Sequence, residues 1–306
     1  MGVSTRPKQQ RRQVEATLLS SLMALFFLQA TPAHSAPQKA QPVPEPAAPT
    51  ELSTTLPAAT AFSLVQPGDE EIELSARFTE KSKNYADSID WKVKNASGEV
   101  LFEATAPIVS FKLKPGAYEV LGRYGNVTID EGISLPPTTR LAVNFILNAG
   151  ALRILPRLPD GFGPSLESIT KVYALNGTHP GRLVASEVKP GELLKLAAGT
   201  YRIETRYAAG NVAAVTDVEV KPGLLRAVDV AHHAGLARLS INKRQDAQWL
   251  VMENSGAVLP LPAGTEITAL LKPGAYVAEA HTGGKVLQQA FTITEGIVSN
   301  VVLTAP

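Results

Sequence analysis

Along much of this chain, apolar and polar residues trade places one by one. From Tyr118 onward, Tyr118, Val120, Gly122 and Tyr124 fall on one side of an extended strand, while Glu119 and Arg123 fall on the other. The same reading separates Tyr201, Ile203, Thr205 and Tyr207 from Arg202, Glu204 and Arg206. Leu141, Val143, Phe145 and Leu147 continue the pattern. Successive side chains of a strand point to opposite faces, so alternation with period two predicts half-buried antiparallel strands. No helical period competes with it beyond the N-terminal segment. Turn signals recur about every 8–12 residues, the spacing of a small antiparallel β-sandwich of about seven strands. The expected class is all-β.

The strands come in copies. "WKVKNASGEV" begins at Trp91 and "WLVMENSGAV" at Trp249, and each runs on to "KPGAY", at Lys114–Tyr118 and Lys272–Tyr276. A diverged middle copy carries "AAGTY" at Ala197–Tyr201, with Tyr173 near the tryptophan position. Gly98 and Gly256 stand where a tight hairpin needs a positive φ. Pro115–Gly116 and Pro273–Gly274 suit the two central positions of a type II turn. The repeat landmarks are therefore Trp91 and Trp249, Gly116, Gly199 and Gly274, and Tyr118, Tyr201 and Tyr276. They predict three tandem modules, at residues 61–148, 149–233 and 234–306. Only "NAG" and "HAG" separate the last strand of one copy from the first of the next, so abutting modules and a short stiff rod are expected.

"LKPGAYEVLGRYG", "LAAGTYRIETRYAAG" and "LKPGAYVAEAHTGG" resemble the core of bacterial immunoglobulin-like sandwich domains, of the prealbumin-like and carboxypeptidase-regulatory-like kinds. The resemblance covers about residues 61–306. It implies accessory, spacer or binding modules, and it brings no catalytic residue with it.

The N-terminus changes the picture of compartment. Arg6, Lys8, Arg11 and Arg12 precede the apolar run "TLLSSLMALFFLQA" and the small residues "TPAHSA", the layout of a secretory signal peptide over residues 1–36. No other segment is expected to span a membrane. Residues 37–60, rich in Pro, Ala and Thr, read as a disordered linker. Periplasmic, secreted or cell-surface placement follows as the expectation.

Charge and reactive residues exclude more than they suggest. A net charge of +1 offers no footprint for nucleic acid. The absence of cysteine rules out disulfides, thiolate catalysis and a lipid-bearing cysteine. His232 and His233 are adjacent and face opposite ways on a strand, so they cannot share a metal. Neither a nucleophile elbow, a phosphate-binding glycine loop nor a zinc-protease helix motif occurs in the sequence. No catalytic residue, metal or cofactor is therefore expected. An aromatic at one repeat position (Trp91, Tyr173, Trp249) argues for core packing; exposed rings would instead favour a sugar-stacking platform.

What remains are the loops in which the copies differ: Phe78–Ser88 in the first, and Leu158–Ser168 and Leu175–Leu183 in the second. Function concentrates in loops on a constant scaffold, which makes Tyr85, Phe162 and His179 the candidate contact residues. The expected function is a non-catalytic, exported envelope spacer or interaction scaffold whose partner is an envelope protein. The alternatives are a carbohydrate- or cell-wall-binding array, with a glycan as partner, and an envelope hydrolase.

Overall fold

The structure is a computed structural model and describes residues 52–53, 56–162, 167–177, 180–242 and 245–305. The predicted signal peptide and most of the predicted linker lie outside the described residues. The described chain is all-β, built from six sheets that face one another in pairs. Among the described residues no helix is long and apolar enough to cross a membrane.

The first sandwich begins with β1 (Leu52–Ser53) and β2 (Leu56–Leu64). It continues with β3 (Glu71–Arg77), β4 (Ile89–Asn95), β5 (Val100–Ala106), β6 (Ile108–Lys112), β7 (Gly116–Tyr124), β8 (Val127–Leu135) and β9 (Thr139–Ile146). The second holds β10 (Ala149–Arg157), β11 (Ser168–Ala174), β12 (Arg182–Ala185), β13 (Leu193–Ala197), β14 (Gly199–Tyr207), β15 (Ala213–Val220) and β16 (Leu225–Ala231). The third holds β17 (Gly235–Ile241), β18 (Ala247–Glu253), β19 (Val258–Gly264), β20 (Glu266–Leu271), β21 (Gly274–Thr282), β22 (Lys285–Ile293) and β23 (Val298–Leu303).

One topology serves all three. The sheet orders β8-β7-β4-β5, β15-β14-β11-β12 and β22-β21-β18-β19 are the same antiparallel arrangement. Across the core, β9-β3-β6, β16-β10-β13 and β23-β17-β20 are also equivalent, with β3, β10 and β17 parallel to the last strands β9, β16 and β23. Each pair of sheets encloses its own apolar core. Among the described residues the first module alone carries two extra strands: β1 lies parallel to β8, and β2 lies antiparallel to β9. Residues 56–60, assigned to the linker from composition, thus belong to a sheet. The edge of β9 supplies backbone partners that composition does not anticipate.

The recurring tyrosine folds back on its own strand entry. Tyr118 Oη donates to the Lys114 carbonyl at 2.5 Å, Tyr201 Oη to Ala197 at 2.8 Å, and Tyr276 Oη to Lys272 at 2.8 Å. This is the tyrosine-corner geometry of immunoglobulin-like sandwiches, made once per module. It also corrects the turn expected at Pro-Gly. Gly116 opens β7 and Gly274 opens β21 at φ 158°, near the extended limit, so no type II turn forms. The folded-back ring lies over the glycine, where a Cβ would meet Tyr118 Oη at 3.6 Å. The hairpin glycines Gly98 and Gly256 do adopt positive φ, 83° and 88°.

Trp91 and Trp249 fill the cores at 1% and 0% exposure, and their indole N–H groups donate to Ala106 and Gly264 carbonyls at 3.1 and 2.8 Å. The middle module departs from this. Trp91 faces Gly122 across the sheet and Trp249 faces Ala280, and the pair in register with them is Thr170 and Thr205. Tyr173, expected near the tryptophan position, instead lies half-buried on the other face of β11. The longer connection between β11 and β14 displaces the count along the chain. Thr205 shares a 2.6 Å hydrogen bond with buried His232, which meets Tyr207 edge-on, while Thr170 Oγ1 is buried without a partner.

Candidate functional site

The side chains with the most engaged chemistry gather where consecutive modules meet. Each meeting is made by a Gly-Asn pair in the hairpin that follows the tyrosine strand. At the first joint, Gly125 and Asn126 sit between β7 and β8, and Asn126 N donates to the Lys195 carbonyl on β13 at 3.0 Å. At the second, Gly210 and Asn211 sit between β14 and β15, and Asn211 N donates to the Leu270 carbonyl on β20 at 3.2 Å. β13 and β20 are equivalent strands, so the two joints are one device used twice.

Glycine is required because the backbones nearly touch. A Cβ on Gly125, φ 59°, would lie 2.4 Å from Lys195 Cβ and 2.5 Å from its carbonyl oxygen. On Gly210, φ 155°, it would lie 1.7 Å from the Leu270 oxygen. That contact makes Gly210 and Leu270 a parallel bridge, closed further by Leu270 N donating to Ala209 O at 2.7 Å.

The asparagine then clamps the neighbour through its amide. Asn126 Nδ2 donates to the Val184 carbonyl at 2.7 Å. Asn211 does more: Nδ2 donates to Glu253 Oε1 at 2.6 Å and to Tyr276 Oη at 3.1 Å, and Oδ1 accepts from Lys272 N at 2.9 Å. The amide, joined by Ser255 Oγ and the charge of Lys272, holds the Glu253 carboxyl below its ordinary range. Burial raises the Tyr276 phenol. Around the first joint, Lys195 Nζ lies 4.2 Å from the Tyr124 ring centroid and 3.4 Å from Asp87 Oδ1. Burial, and then the charge of Asp87, push the Tyr124 phenol well above its usual value. At the second, Tyr207, Val212, Ala234 and Leu270 form a separate apolar cluster.

Two of the three loops chosen from the sequence flank these joints. In Phe78–Ser88, Phe78 stands edge-on to Tyr124 at 5.5 Å, Ala86 is buried and Asp87 reaches Lys195. Tyr85 lies half-buried beside Arg77, whose guanidinium carbon is 4.8 Å from the ring centroid. In Leu158–Ser168, Leu158 and Phe162 pack against the second apolar cluster. Tyr85 and Phe162 are thus not brought together; His179 lies outside the described residues. The joint residues Gly125, Asn126, Lys195, Gly210, Asn211 and Leu270 escaped sequence reasoning. Their signal was present: the first two copies write Gly-Asn after the tyrosine strand, and the third writes Gly283-Gly284-Lys285. A Cβ at Gly283 or Gly284 would meet no atom within 4 Å, as expected where no module follows among the described residues.

One groove of about 610 Å³ lies on the outward face of β4, β5, β7 and β8, lined by Asp90, Lys92, Glu103, Thr105, Arg123 and Asp130 among others. Its polar groups are largely engaged with each other. Thr105 Oγ1 donates to Asp90 at 2.6 Å, and Lys92 pairs with Glu103 at 3.2 Å. Trp91 belongs to the same strands but, at 1% exposure, offers no ring face to a ligand. The described residues hold no group of three or more His, Asp or Glu placed to share a metal.

Residues 242–305 match the family described as the Rhizobiales growth-associated tandem repeat domain. No curated protein matches the sequence. Among solved structures, the Bacillus anthracis TIE protein is 14% identical over 77% of this chain and 50% of its own, with a TM-score of 0.24. The streptococcal ancillary pilin is 12% identical over 78% and 99%, at 0.28. The pilus adhesin SpaC of Lactobacillus rhamnosus GG is 9% identical over 81% and 44%, at 0.25. The strand order repeated three times and the tyrosine corner of every copy settle the architecture: the chain is built of tandem immunoglobulin-like β-sandwich repeats.

Proposed function

We propose that the protein is a non-catalytic, exported component of the cell envelope that acts as a stiff spacer and interaction scaffold. The joint carries this reading. A Gly-Asn hairpin seated on the next module by backbone hydrogen bonds holds consecutive sandwiches in one relative setting. A spacer needs that constancy, whereas modules capturing ligands independently do not. Export is supported by the basic, apolar and small-residue sequence of the N-terminus. The growth-associated description of the family matched by residues 242–305 supports a role connected with growth. With Phe162 engaged at a joint, the surfaces offered to an envelope protein are the outward sheet faces and the loop that holds Tyr85. The carbohydrate-binding alternative loses its main support, since both tryptophans are enclosed.

Affinity capture with the full chain from solubilised envelope of the native cell, followed by analysis of protein and sugar, tests the reading. One protein retained in stoichiometric amount is expected. Retention of glycan alone, or hydrolase or transferase activity of the purified chain, would overturn it.

A further inference from the structure

The three modules treat one edge differently. β9, β16 and β23 are equivalent last strands, each parallel to a central strand of its sheet, β3, β10 or β17. The outer edge of β9 is covered by β2, with Ala61 opposite Ala142. Among the described residues no strand covers the outer edge of β16 or β23.

An open edge is a template for another chain unless charge, proline or a bulge blunts it. β16 is blunted. The carbonyl of Leu224 accepts from Ala151 N on the inner side, so alternate residues beginning with Leu225 turn their backbone groups outward, and Asp229 is among them. Pairing β16 with its own copy would set Asp229, which pairs with Arg157 of β10 at 2.7 Å, against apolar Leu225 or against another Asp229, so the row on this edge carries a charge and is not self-complementary.

β23 carries no such guard. Its sequence, "VSNVVL", has neither charge nor proline. The Ile297 and Leu303 carbonyls accept from Leu236 and Asn242 on the inner side, so Val298, Asn300 and Val302 turn their N–H and C=O groups to the open edge. Those positions match Arg140, Ala142 and Asn144 of β9, since Leu74 faces Val143 as Leu239 faces Val301. The matching edge of β9 takes an antiparallel strand, β2, in this same structure. Val298 and Val302 are 37% and 50% exposed.

We propose that β23 pairs antiparallel with β23 of a second copy, joining two third modules into one continuous sheet around a two-fold axis. With Asn300 opposite Asn300 of the second copy, Val298 faces Val302 on both sides of the axis, so the outward row complements itself. A two-fold contact requires such self-complementarity, and apolar cross-strand pairs stabilise it. The inference stands apart from the proposed envelope role and needs only purified protein.

The test is sedimentation of the full chain over about three decades of concentration, from micromolar to millimolar. Two variants accompany it. Asn300→Pro removes a donor aimed at the open edge and leaves every bond to β17 intact, because proline is tolerated where the N–H faces away from the sheet. Val302→Lys sets a charge on the same row. Because the chain has no cysteine, Asn300→Cys reports the axis directly, with Ser255→Cys in the exposed third-module hairpin as its control. A concentration-dependent dimer is expected, lost in N300P and weakened about tenfold or more in V302K, with N300C oxidising to a covalent dimer far faster than S255C. A monomer throughout, or a dimer that survives both edge variants, would overturn the proposal.

Discussion

The two joints share a backbone and differ in the side chain at its centre. Lys195 occupies in the first the position that Leu270 holds in the second. Lys195 is half-buried, spreading over the Tyr124 ring and reaching Asp87. Leu270 is fully buried among Tyr207, Val212 and Ala234. What repeats is the approach of one backbone to another, which only glycine permits; the chemistry around it has drifted from polar to apolar. The asparagines diverged likewise, Asn126 gripping a carbonyl and Asn211 a carboxylate, a phenol and an amide. The second joint is the tighter one.

The sharpest way to break the comparison is to put a side chain on each glycine. Gly210→Val forces a Cβ against the Leu270 oxygen at a φ that other residues rarely adopt, and about 3 kcal/mol or more should be lost. Gly125→Val meets contacts of 2.4 and 2.5 Å, less severe than those at Gly210, in addition to the strain of a left-handed φ, and about 2–3 kcal/mol is expected. Urea unfolding of each variant measures the difference, and equal losses would mean that the joints are equally tight.

A smaller contrast separates Leu270→Ala from Lys195→Ala. The first empties a buried apolar site and should cost about 2–5 kcal/mol. The second removes a cation over an aromatic ring with part of its stem packing, about 0.5–1 kcal/mol. Thermal unfolding followed by calorimetry would register both, and a K195A loss as large as that of L270A would refute the apolar account of the second joint.

The smallest effect is one of pH. Asn211 holds the Glu253 carboxyl below its ordinary value of 4.5, so this bond contributes fully above that value and is lost as pH falls through the lower folded one. The amide of Asn126 faces a carbonyl and has no such dependence. Between about pH 7 and pH 3, the urea midpoint of the wild type should fall further than that of Glu253→Gln. Parallel curves would show that the carboxylate does not tie the joint.

Much of the fold was legible because its signals are local. Alternation from Tyr118 to Tyr124 specifies a strand with one buried face, and Gly98 and Gly256 mark hairpins by a conformation few other residues accept. The tryptophans announced a core because both copies keep them at one position. Thr170 could not be found in this way, since only strand register shows it opposite Thr205, and Tyr173 was the nearer aromatic. The Gly-Asn joints were present in the sequence but looked like ordinary hairpin turns. Nothing local distinguishes a glycine kept for a turn from one kept because a neighbouring module's carbonyl arrives there.

By itself the sequence determined the all-β class, the tandem repetition and the buried aromatics. These follow from residue type, spacing and period, which act within a few residues of one another. The tertiary structure alone decided that β2 is drawn from a proline-rich segment onto the edge of β9, and that Phe78, Asp87, Leu158 and Phe162 of two variable loops pack against the joints. It also decided that the edge of β23 is left open and unguarded. Each of these depends on which backbone groups meet across long separations in the chain, and strand pairing is satisfied by any extended segment that reaches the edge, whatever its composition.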